Sequence, residues 1–208
     1  MKDGQEKDEY IITRHSQFNP PINIVNIYGE QESRSQNKDI EERWQRIQTE
    51  LLKIEYKGEN VILIGDQNKH VGDIVDGNNE KVSFGGKLIR EFLKNQKYAL
   101  LNSLNKVRGG HFTRYNPAAP NEKESKACLE LIIISKALLK YVDEVSNYKD
   151  LKFTPGRPIT KTKMCYPDHY DILITMKNIP SCGGWSPAME KCKIWNLNKE
   201  GGQRSIKN

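Results

Sequence analysis

This sequence has no long hydrophobic run, and its N-terminus lacks the apolar core of a secretory signal. A helix that crosses a membrane needs roughly 20 apolar residues in a row, and no stretch approaches that length. The first residues, MKDGQEKDEYIIT, are charged instead. These absences argue against a membrane partner and predict an intracellular protein, either nuclear or cytoplasmic.

Cysteine is also scarce, and the few cysteines are widely spaced. Cys128, Cys165, Cys182 and Cys192 include no CxxC pair, and their spacing fits no usual zinc module. A small scaffold stabilised by disulfides would contain cysteines at a higher density. We therefore expect free thiols in a reducing compartment.

What the sequence does contain is charge, with basic residues in excess. Of the 208 residues, 29% are charged and 36% hydrophobic, which predicts one globular domain, with or without a tail. The net charge of +6 favours an anionic partner, nucleic acid first, although solubility alone explains such an excess equally well. The segment KFTPGRPITKTKM contains Arg157, Lys161 and Lys163 and no acid, which makes it the better candidate for binding phosphate.

Hydrophobic periodicity predicts short strands that alternate with two helices. The first helix, 39–56, carries an apolar stripe of residues three or four apart: Ile40, Trp44, Ile47, Leu51 and Ile54. The second helix, 85–97, is predicted to turn four residues inward: Leu88, Ile89, Phe92 and Leu93. Strands are predicted at 10–13, 22–27, 61–64, 100–104, 111–115, 129–134, 141–148 and from 172 onward. This alternation indicates an α/β or α+β domain over 10–177, followed by a linker or disordered tail over 178–208.

Polar side chains follow the most apolar of these strands. Asp66 and Asn68 come after VILIG, an apolar run typical of a strand covered on both faces, and they open a polar loop over 66–79. Alternate residues of an extended chain point the same way, so Asp66, Asn68 and His70 can share a face. They mark either a surface turn or the rim of an active site.

Two further polar clusters lie at the ends of predicted strands. Glu130 is embedded in ACLELIIIS, and Asp168 and His169 precede YDILITM. A buried carboxylate is costly without a partner, so Glu130 needs a hydrogen-bond donor or a metal ion, unless its side chain points to solvent. Carboxylate oxygens bind Mg²⁺, and a histidine can donate a proton to a phosphoryl oxygen. Together the three clusters suit the chemistry of phosphate esters.

Five segments, in order, resemble motifs of the endonuclease/exonuclease/phosphatase superfamily and cover about residues 10–176. ILIGDQNKHVGD resembles its GDxNxH signature, and INIVNIYGE resembles the preceding strand, whose tyrosine lies at the active site. GGHFTRYNP resembles the family's strand in which a threonine is followed by Trp or Arg. SKACLELIIIS resembles the family's Ser-x-x-Asp-Tyr strand, and YPDHYDILI resembles its terminal Ser-Asp-His motif.

The form GDQNKHVGD, the long polar loop after it and the tail WNLNKEGG narrow the resemblance. They look like the endonuclease region of non-LTR retrotransposons, in which a linker leads from the nuclease to a reverse transcriptase. This sequence contains no reverse transcriptase. Such a region in the parent element is therefore an expected partner.

The resemblance implies a DNase I-like fold, a four-layer α/β sandwich of two stacked sheets flanked by helices. It also implies Mg²⁺- or Mn²⁺-dependent hydrolysis of phosphodiester bonds in DNA. By this resemblance, Asp66 activates or positions the attacking water and Asn68 orients the scissile phosphate. His169 contacts the phosphate opposite the leaving group, and Glu130 stands where the family has an aspartate that orients this histidine. Tyr28 lies against the phosphate.

The same resemblance assigns the remaining residues of the motifs. Asp168 is placed near the metal ion, and Thr113 and Arg114 lie where related nucleases approach the nucleic acid. The three basic residues of KFTPGRPITKTKM named above are expected to add nucleic-acid contacts. His70 fills the last position of the GDxNxH signature and is expected to brace the loop.

The sequence departs from the family pattern in four places. It begins after the region that contributes an Asn and a metal-binding Glu, so the sandwich is expected to be incomplete, with an unpaired sheet edge. Glu130 replaces an Asp, Pro167 replaces the Ser of Ser-Asp-His, and Gly29-Glu30 replaces a Gly-Pro pair. These departures predict weak Mg²⁺ binding and weak or absent DNA cleavage. Two alternatives stay open: a catalytically dead nucleic-acid-binding module or retroelement remnant, and a phosphomonoesterase of the same superfamily.

Overall fold

The computed structural model describes residues 10–75, 81–94, 97–104, 107–108, 113–115, 126–148 and 171–182 of the chain. The helices are α1 (Asn37–Tyr56) and α2 (Phe84–Lys94). The strands are β1 (Tyr10–His15), β2 (Ile22–Ile27), β3 (Asn60–Asp66), β4 (Tyr98–Leu100), β5 (Val107–Arg108), β6 (Arg114–Tyr115), β7 (Lys126–Ala127), β8 (Glu130–Ser135), β9 (Val142–Tyr148) and β10 (Asp171–Met176). Residues 111–112 of one predicted strand, and 183–208 of the predicted tail, lie outside the described residues.

A five-stranded sheet in the order β1-β2-β3-β8-β4 forms the centre of the domain. β2 and β3 run parallel, and the other neighbouring strands run antiparallel. Every residue of β3 from Val61 to Asp66 is buried, so this strand is covered on both faces as predicted. The central sheet therefore needs an apolar layer on each side.

Both helices pack on one face of this sheet. All five residues of the predicted α1 stripe are buried. Four of them share a core with side chains that alternate along the strands, such as Val61 and Leu63: Trp44, Ile47, Leu51 and Ile54. From α2, Ile89 is buried, and the Phe92 ring meets Trp44 edge-on with 5.5 Å between the ring centroids. The other residues that α2 was predicted to turn inward are partly buried against this core: Leu88, Phe92 and Leu93. Neither described helix has the length and apolar character needed to cross a membrane.

The opposite face of the central sheet carries a three-stranded sheet in the order β10-β9-β5. Ile62 and Ile64 of β3, with Ile132 and Ile134 of β8, belong to the core between the two sheets. The other side of this core is formed by Leu138, Val142, Val145 and Ile172. Two stacked sheets with helices on one outer face confirm the predicted α/β class. The described residues place no helix on the outer face of the second sheet.

The strand predicted at 100–104 is wrong beyond its first residue, because Leu101–Ser103 forms a 3₁₀ turn. The cause is the buried side chain of Asn102. Its Oδ1 accepts the Ile132 N–H at 2.7 Å, and its Nδ2 donates to the Glu130 carbonyl at 3.0 Å. The amide thus supplies β8 with the donor and acceptor that a continuing strand would have supplied.

The predicted polar loop after β3 is also more structured than its composition indicates. Val71 and Val75 are buried in the helix-side core, on either side of a 3₁₀ turn at Gly72–Ile74. Two valines in an otherwise polar stretch are too few to give a periodic signal, which is why the sequence did not predict their burial. Residues 76–80 of this loop lie outside the described residues.

We expect Asn102→Asp to destabilise the fold by about 1–3 kcal/mol, because a carboxylate oxygen would face the Glu130 carbonyl in place of a donor. Urea unfolding monitored by circular dichroism measures this change. Asn37→Asp, at the exposed first turn of α1, is the control, and its effect is neutral or slightly stabilising. Equal stability of Asn102→Asp and the wild type would contradict the bridging role of Asn102.

Candidate active site

Asp66 and Asn68 lie together in a tight turn at the end of β3. Asp66 is 5% exposed, and its Oδ1 accepts the main-chain N–H of Asn68 at 2.9 Å. Its Oδ2 accepts the Asn68 Nδ2–H at 3.0 Å. Asn68 has φ +49°, a left-handed conformation that asparagine tolerates better than most residues. The sequence prediction that these two side chains lie close together is confirmed.

The second hydrogen of Asn68 Nδ2 is also engaged, since it donates to the Gly29 carbonyl at 2.7 Å. The Gly29 N–H in turn donates to the Asp66 carbonyl at 2.6 Å. Because both Nδ2 hydrogens are in use, Asn68 would have to give up one of these bonds to donate to a phosphate. Its Oδ1 is the atom that can accept from water or bind a cation.

Gly29 is the point at which the loop after β2 touches the end of β3. A Cβ atom at this position would lie 2.1 Å from the Gln67 carbonyl oxygen, which is far inside van der Waals contact. Only glycine permits this approach, and the approach holds Asp66 and Asn68 in place. The preceding residue, Tyr28, is 57% exposed, so its ring is accessible to a substrate.

Glu130 lies directly opposite Asp66 in the antiparallel pairing of β3 with β8. Opposite residues in such a pair project onto the same face, here the face of Ile64 and Ile132 that meets the second sheet. Both carboxylates are 5% exposed. Burying two carboxylates is costly unless each has a hydrogen-bond donor or a counter-charge. The structure thus brings Asp66, Asn68 and Glu130 to one strand end.

This donor set fits a magnesium ion. Two carboxylates and an amide oxygen are hard oxygen ligands, and Mg²⁺ is commonly held by one or two carboxylates together with water and substrate phosphate. No three His, Cys, Asp or Glu side chains come together within the described ranges. Asp168, the predicted metal-binding residue, lies outside them.

Thr113 does not have the position predicted for it. Its side chain is 0% exposed, and its hydroxyl oxygen accepts the N–H groups of Leu129 at 2.9 Å and Glu130 at 3.1 Å. This burial leaves the Thr113 side chain no surface for contact with nucleic acid, so the structure corrects that assignment. Thr113 instead fixes the backbone from which Glu130 projects. Arg114 beside it is half-buried, and its role with nucleic acid stays a prediction.

A buried lysine that sequence reasoning missed ties the loops of this site together. Lys69 is 7% exposed, donates to the Glu30 carbonyl at 2.8 Å, and lies 3.8 Å from Glu32 Oε1. The Glu32 carboxylate also accepts the N–H groups of Phe84 at 3.2 Å and Gly85 at 2.7 Å at the start of α2. Burial lowers the pKa of Lys69, and the neighbouring Glu32 acts in the opposite direction. The sequence feature that could have indicated this role is the position of Lys69 within the GDxNxH segment, between Asn68 and His70.

His70 braces the same loop through its backbone. Its N–H donates to Ser83 Oγ at 3.1 Å, and its carbonyl accepts the Ser83 N–H at 2.9 Å. These bonds join the end of the GDxNxH segment to the start of α2. The remaining predicted site residues lie outside the described residues: Arg157, Lys161, Lys163, Asp168 and His169.

No protein-family model matches the chain, and no curated protein matches its sequence. Solved structures do match. The Neisseria 3′ phosphatase NExo bound to a product DNA hairpin is 16% identical with a TM-score of 0.56, over 84% of this chain and 66% of that one. The catalytic domain of Xenopus laevis APE2 is 13% identical with a TM-score of 0.61, over 86% of this chain and 59% of that one. An AP endonuclease from Archaeoglobus fulgidus is 11% identical with a TM-score of 0.53, over 85% of this chain and 68% of that one.

These structures are members of the endonuclease/exonuclease/phosphatase superfamily. The likeness shows that the chain has a DNase I-like fold, in agreement with the prediction from the sequence motifs. The chain spans 66% of the length of NExo and 59% of that of the APE2 domain, so it matches part of each protein.

We expect Gly29→Ala to destabilise the protein by about 3 kcal/mol, because the added methyl group must displace the Gln67 carbonyl. Gly58→Ala is the matched control, since Gly58 has φ +71° and no atom within 4 Å of a new Cβ. Its cost is about 1 kcal/mol from backbone strain alone. Urea unfolding of both variants tests this, and a Gly29→Ala cost no larger than that of Gly58→Ala would disprove the close contact.

The lowered pKa of Lys69 predicts a dependence of stability on pH. Between the folded pKa and the unfolded value near 10.5, the unfolded state binds more protons, so stability rises with pH across this window. Lys69→Met removes this contribution. The unfolding free energy of the wild type relative to Lys69→Met should therefore increase as the pH approaches 10.5. Lys87→Met, on the exposed face of α2, should show no such trend. A pH-independent difference for Lys69→Met would refute the prediction.

Proposed function

We propose that this chain is a phosphoester hydrolase domain that acts on DNA with Mg²⁺ or Mn²⁺, in the manner of the endonuclease region of non-LTR retrotransposons. The observation that carries the proposal is the meeting of Asp66, Asn68 and Glu130 at one buried strand end. The fold supports it, because the Neisseria 3′ phosphatase NExo was solved with a product DNA hairpin and the Archaeoglobus fulgidus structure is an AP endonuclease.

Asp66 is the group proposed to orient the attacking water. A carboxylate has about four lone-pair positions, and Asn68 occupies two of them with its main-chain and side-chain N–H groups. A carboxylate oxygen can also accept from a water and hold it for attack on a phosphorus atom. Asn68 keeps this carboxylate in one orientation, because it is itself anchored to Gly29.

A metal ion would be held by the carboxylates of Asp66 and Glu130 and the Oδ1 atom of Asn68, with Asp168 as the further ligand expected from the sequence. When bound, such an ion lowers the pKa of a water and offsets the negative charge of the phosphate. The paired carboxylates supply the negative potential that attracts the cation. Arg114 and the basic segment with Arg157, Lys161 and Lys163 are proposed to bind the DNA backbone.

His169 is proposed to contact the phosphoryl oxygen, and Tyr28 to lie against the phosphate. Glu130 is one methylene longer than the aspartate of the family pattern, which displaces its carboxylate from the position that orients the histidine. Weak turnover is therefore part of the proposal. A module that binds nucleic acid without turnover is the second candidate, and the same replacement at Glu130 favours it.

Two DNA substrates in the presence of Mg²⁺ or Mn²⁺ test the proposal: supercoiled plasmid for nicking, and a duplex with a 3′-phosphate for phosphatase activity. We expect slow hydrolysis by the wild-type chain and a rate at least about 100-fold lower for Asp66→Ala. Glu130→Asp should raise the rate, since it restores the shorter carboxylate. Asp73→Ala is the control and should leave the rate unchanged. Asp73 is an exposed residue of the loop that follows Asp66, and it pairs with Arg90 of α2.

The same assays separate the alternatives. Hydrolysis of the 3′-phosphate alone would favour the phosphomonoesterase hypothesis over the endonuclease hypothesis. Salt-sensitive DNA binding by a folded chain with no hydrolysis would favour the binding module. Equal rates for Asp66→Ala and the wild type would remove Asp66 from the mechanism.

A further inference from the structure

A cavity of about 40 Å³ lies on the helix side of the central sheet, directly behind the strand end that carries Asp66. Its apolar wall is formed by Ile27, Ile40, Ile47, Leu88 and Ile89. Gly29 and Gln67 also line it, so the cavity shares two residues with the turn that holds the candidate active site. The cavity itself belongs to no part of the proposed hydrolysis.

Two buried hydrogen-bond donors line this cavity. Trp44 is 7% exposed and Gln67 is 3% exposed, and both side chains form part of the wall. Neither Trp44 Nε1 nor Gln67 Nε2 has an acceptor among the described residues. A buried donor left without an acceptor is costly, so the protein gains stability from any acceptor that enters. An indole N–H can only donate, which fixes the complementary group as an acceptor.

The charged residues around the cavity compensate one another. Arg43 lies 3.0 Å from Glu30 Oε1, and Lys69 donates to the Glu30 carbonyl at 2.8 Å. Asp39 and Glu30 balance the two cations in formal charge. The surroundings therefore favour neither an anion nor a cation, and the apolar wall favours methyl or methylene groups.

We propose that this cavity binds a small neutral hydrogen-bond acceptor, a carbonyl or sulfoxide compound, through Trp44 Nε1 and Gln67 Nε2. One water needs about 10–15 Å³ of such space, so the cavity has room for about three waters or one organic molecule of comparable size. An oxygen with two lone pairs has the capacity to accept from two donors, and methyl groups suit an isoleucine wall.

The position of Gln67 connects this site to the strand end. Gln67 stands between Asp66 and Asn68 in the chain, and its N–H donates to the Leu129 carbonyl at 2.8 Å. Alternation along the strand sends Asp66 to the face between the sheets and Gln67 to the helix side. A molecule bound by Gln67 therefore contacts the opposite face of the segment that holds Asp66.

Titration of the full chain with dimethyl sulfoxide, followed by ¹H–¹⁵N correlation spectra, tests the proposal. We expect a saturable shift of the Trp44 indole N–H and the Gln67 side-chain amide. The indoles of Trp185 and Trp195 serve as internal references, and Trp44→Phe assigns the Trp44 signal. Linear shifts of all three indoles in parallel, or no shift of Trp44, would overturn the proposal.

A pair of variants tests the role of Gln67. Gln67→Met keeps the length of the side chain and removes the donor, and it should fold because an apolar group suits the wall. Loss of one hydrogen bond of about 1 kcal/mol should weaken binding of dimethyl sulfoxide about fivefold. Gln45→Met, exposed on α1, should bind as the wild type does. Unchanged binding by a folded Gln67→Met would overturn the assignment.

Water is the competing occupant, and nuclear Overhauser contacts between the Trp44 N–H and water distinguish it. If these water contacts disappear as dimethyl sulfoxide binds, the result supports an acceptor site that exchanges water for an organic ligand. Persistent water contacts without a saturable shift identify a purely structural hydration site and overturn the proposal.

Discussion

The register between β3 and β8, which sets Asp66 opposite Glu130, is the constraint on which the rest of the site depends. A slip of one residue would turn every side chain of a strand to the other face. The register is specified by hydrophobic side chains, because Ile62 and Ile64 must face the second sheet while Val61 and Leu63 must face the helices. The burial of these residues therefore determines where the two carboxylates lie.

Holding two carboxylates at the end of an apolar core requires several buried polar groups. Thr113 accepts the N–H of Glu130, and Asn102 donates to its carbonyl, so the backbone of Glu130 is fixed on both sides. On the other strand, Asn68 and Gly29 fix Asp66. These hydrogen bonds fix the main chain from which both carboxylates project.

The sequence predicted the parts of this arrangement that depend on local periodicity. The α1 stripe followed from a spacing of three and four. The proximity of Asp66 to Asn68 was predicted from alternation along a strand, but the structure brings the two together through a turn in which Asn68 has φ +49°. The contacts that connect distant segments were beyond such reasoning. Glu32 meets Gly85 53 positions later in the chain, and Asn102 meets Ile132 30 positions later. No periodic pattern encodes such pairs. In the sequence, Thr113 and Asn102 therefore look like ordinary loop residues, although both have structural roles.

The use of both Asn68 hydrogens constrains how the site would take part in the proposed reaction. Asn68 holds Asp66 and Gly29 without any substrate, so the orientation of Asp66 is established by the fold before binding. A preorganised carboxylate lowers the cost of reaching the transition state, because it does not have to be reoriented there. In the proposed reaction, contacts to the phosphate would then come from groups outside this hydrogen-bonded turn. Tyr28 is the exposed side chain beside it, and since Gly29 permits the close approach of its loop, one backbone contact positions both the buried and the exposed parts of the site.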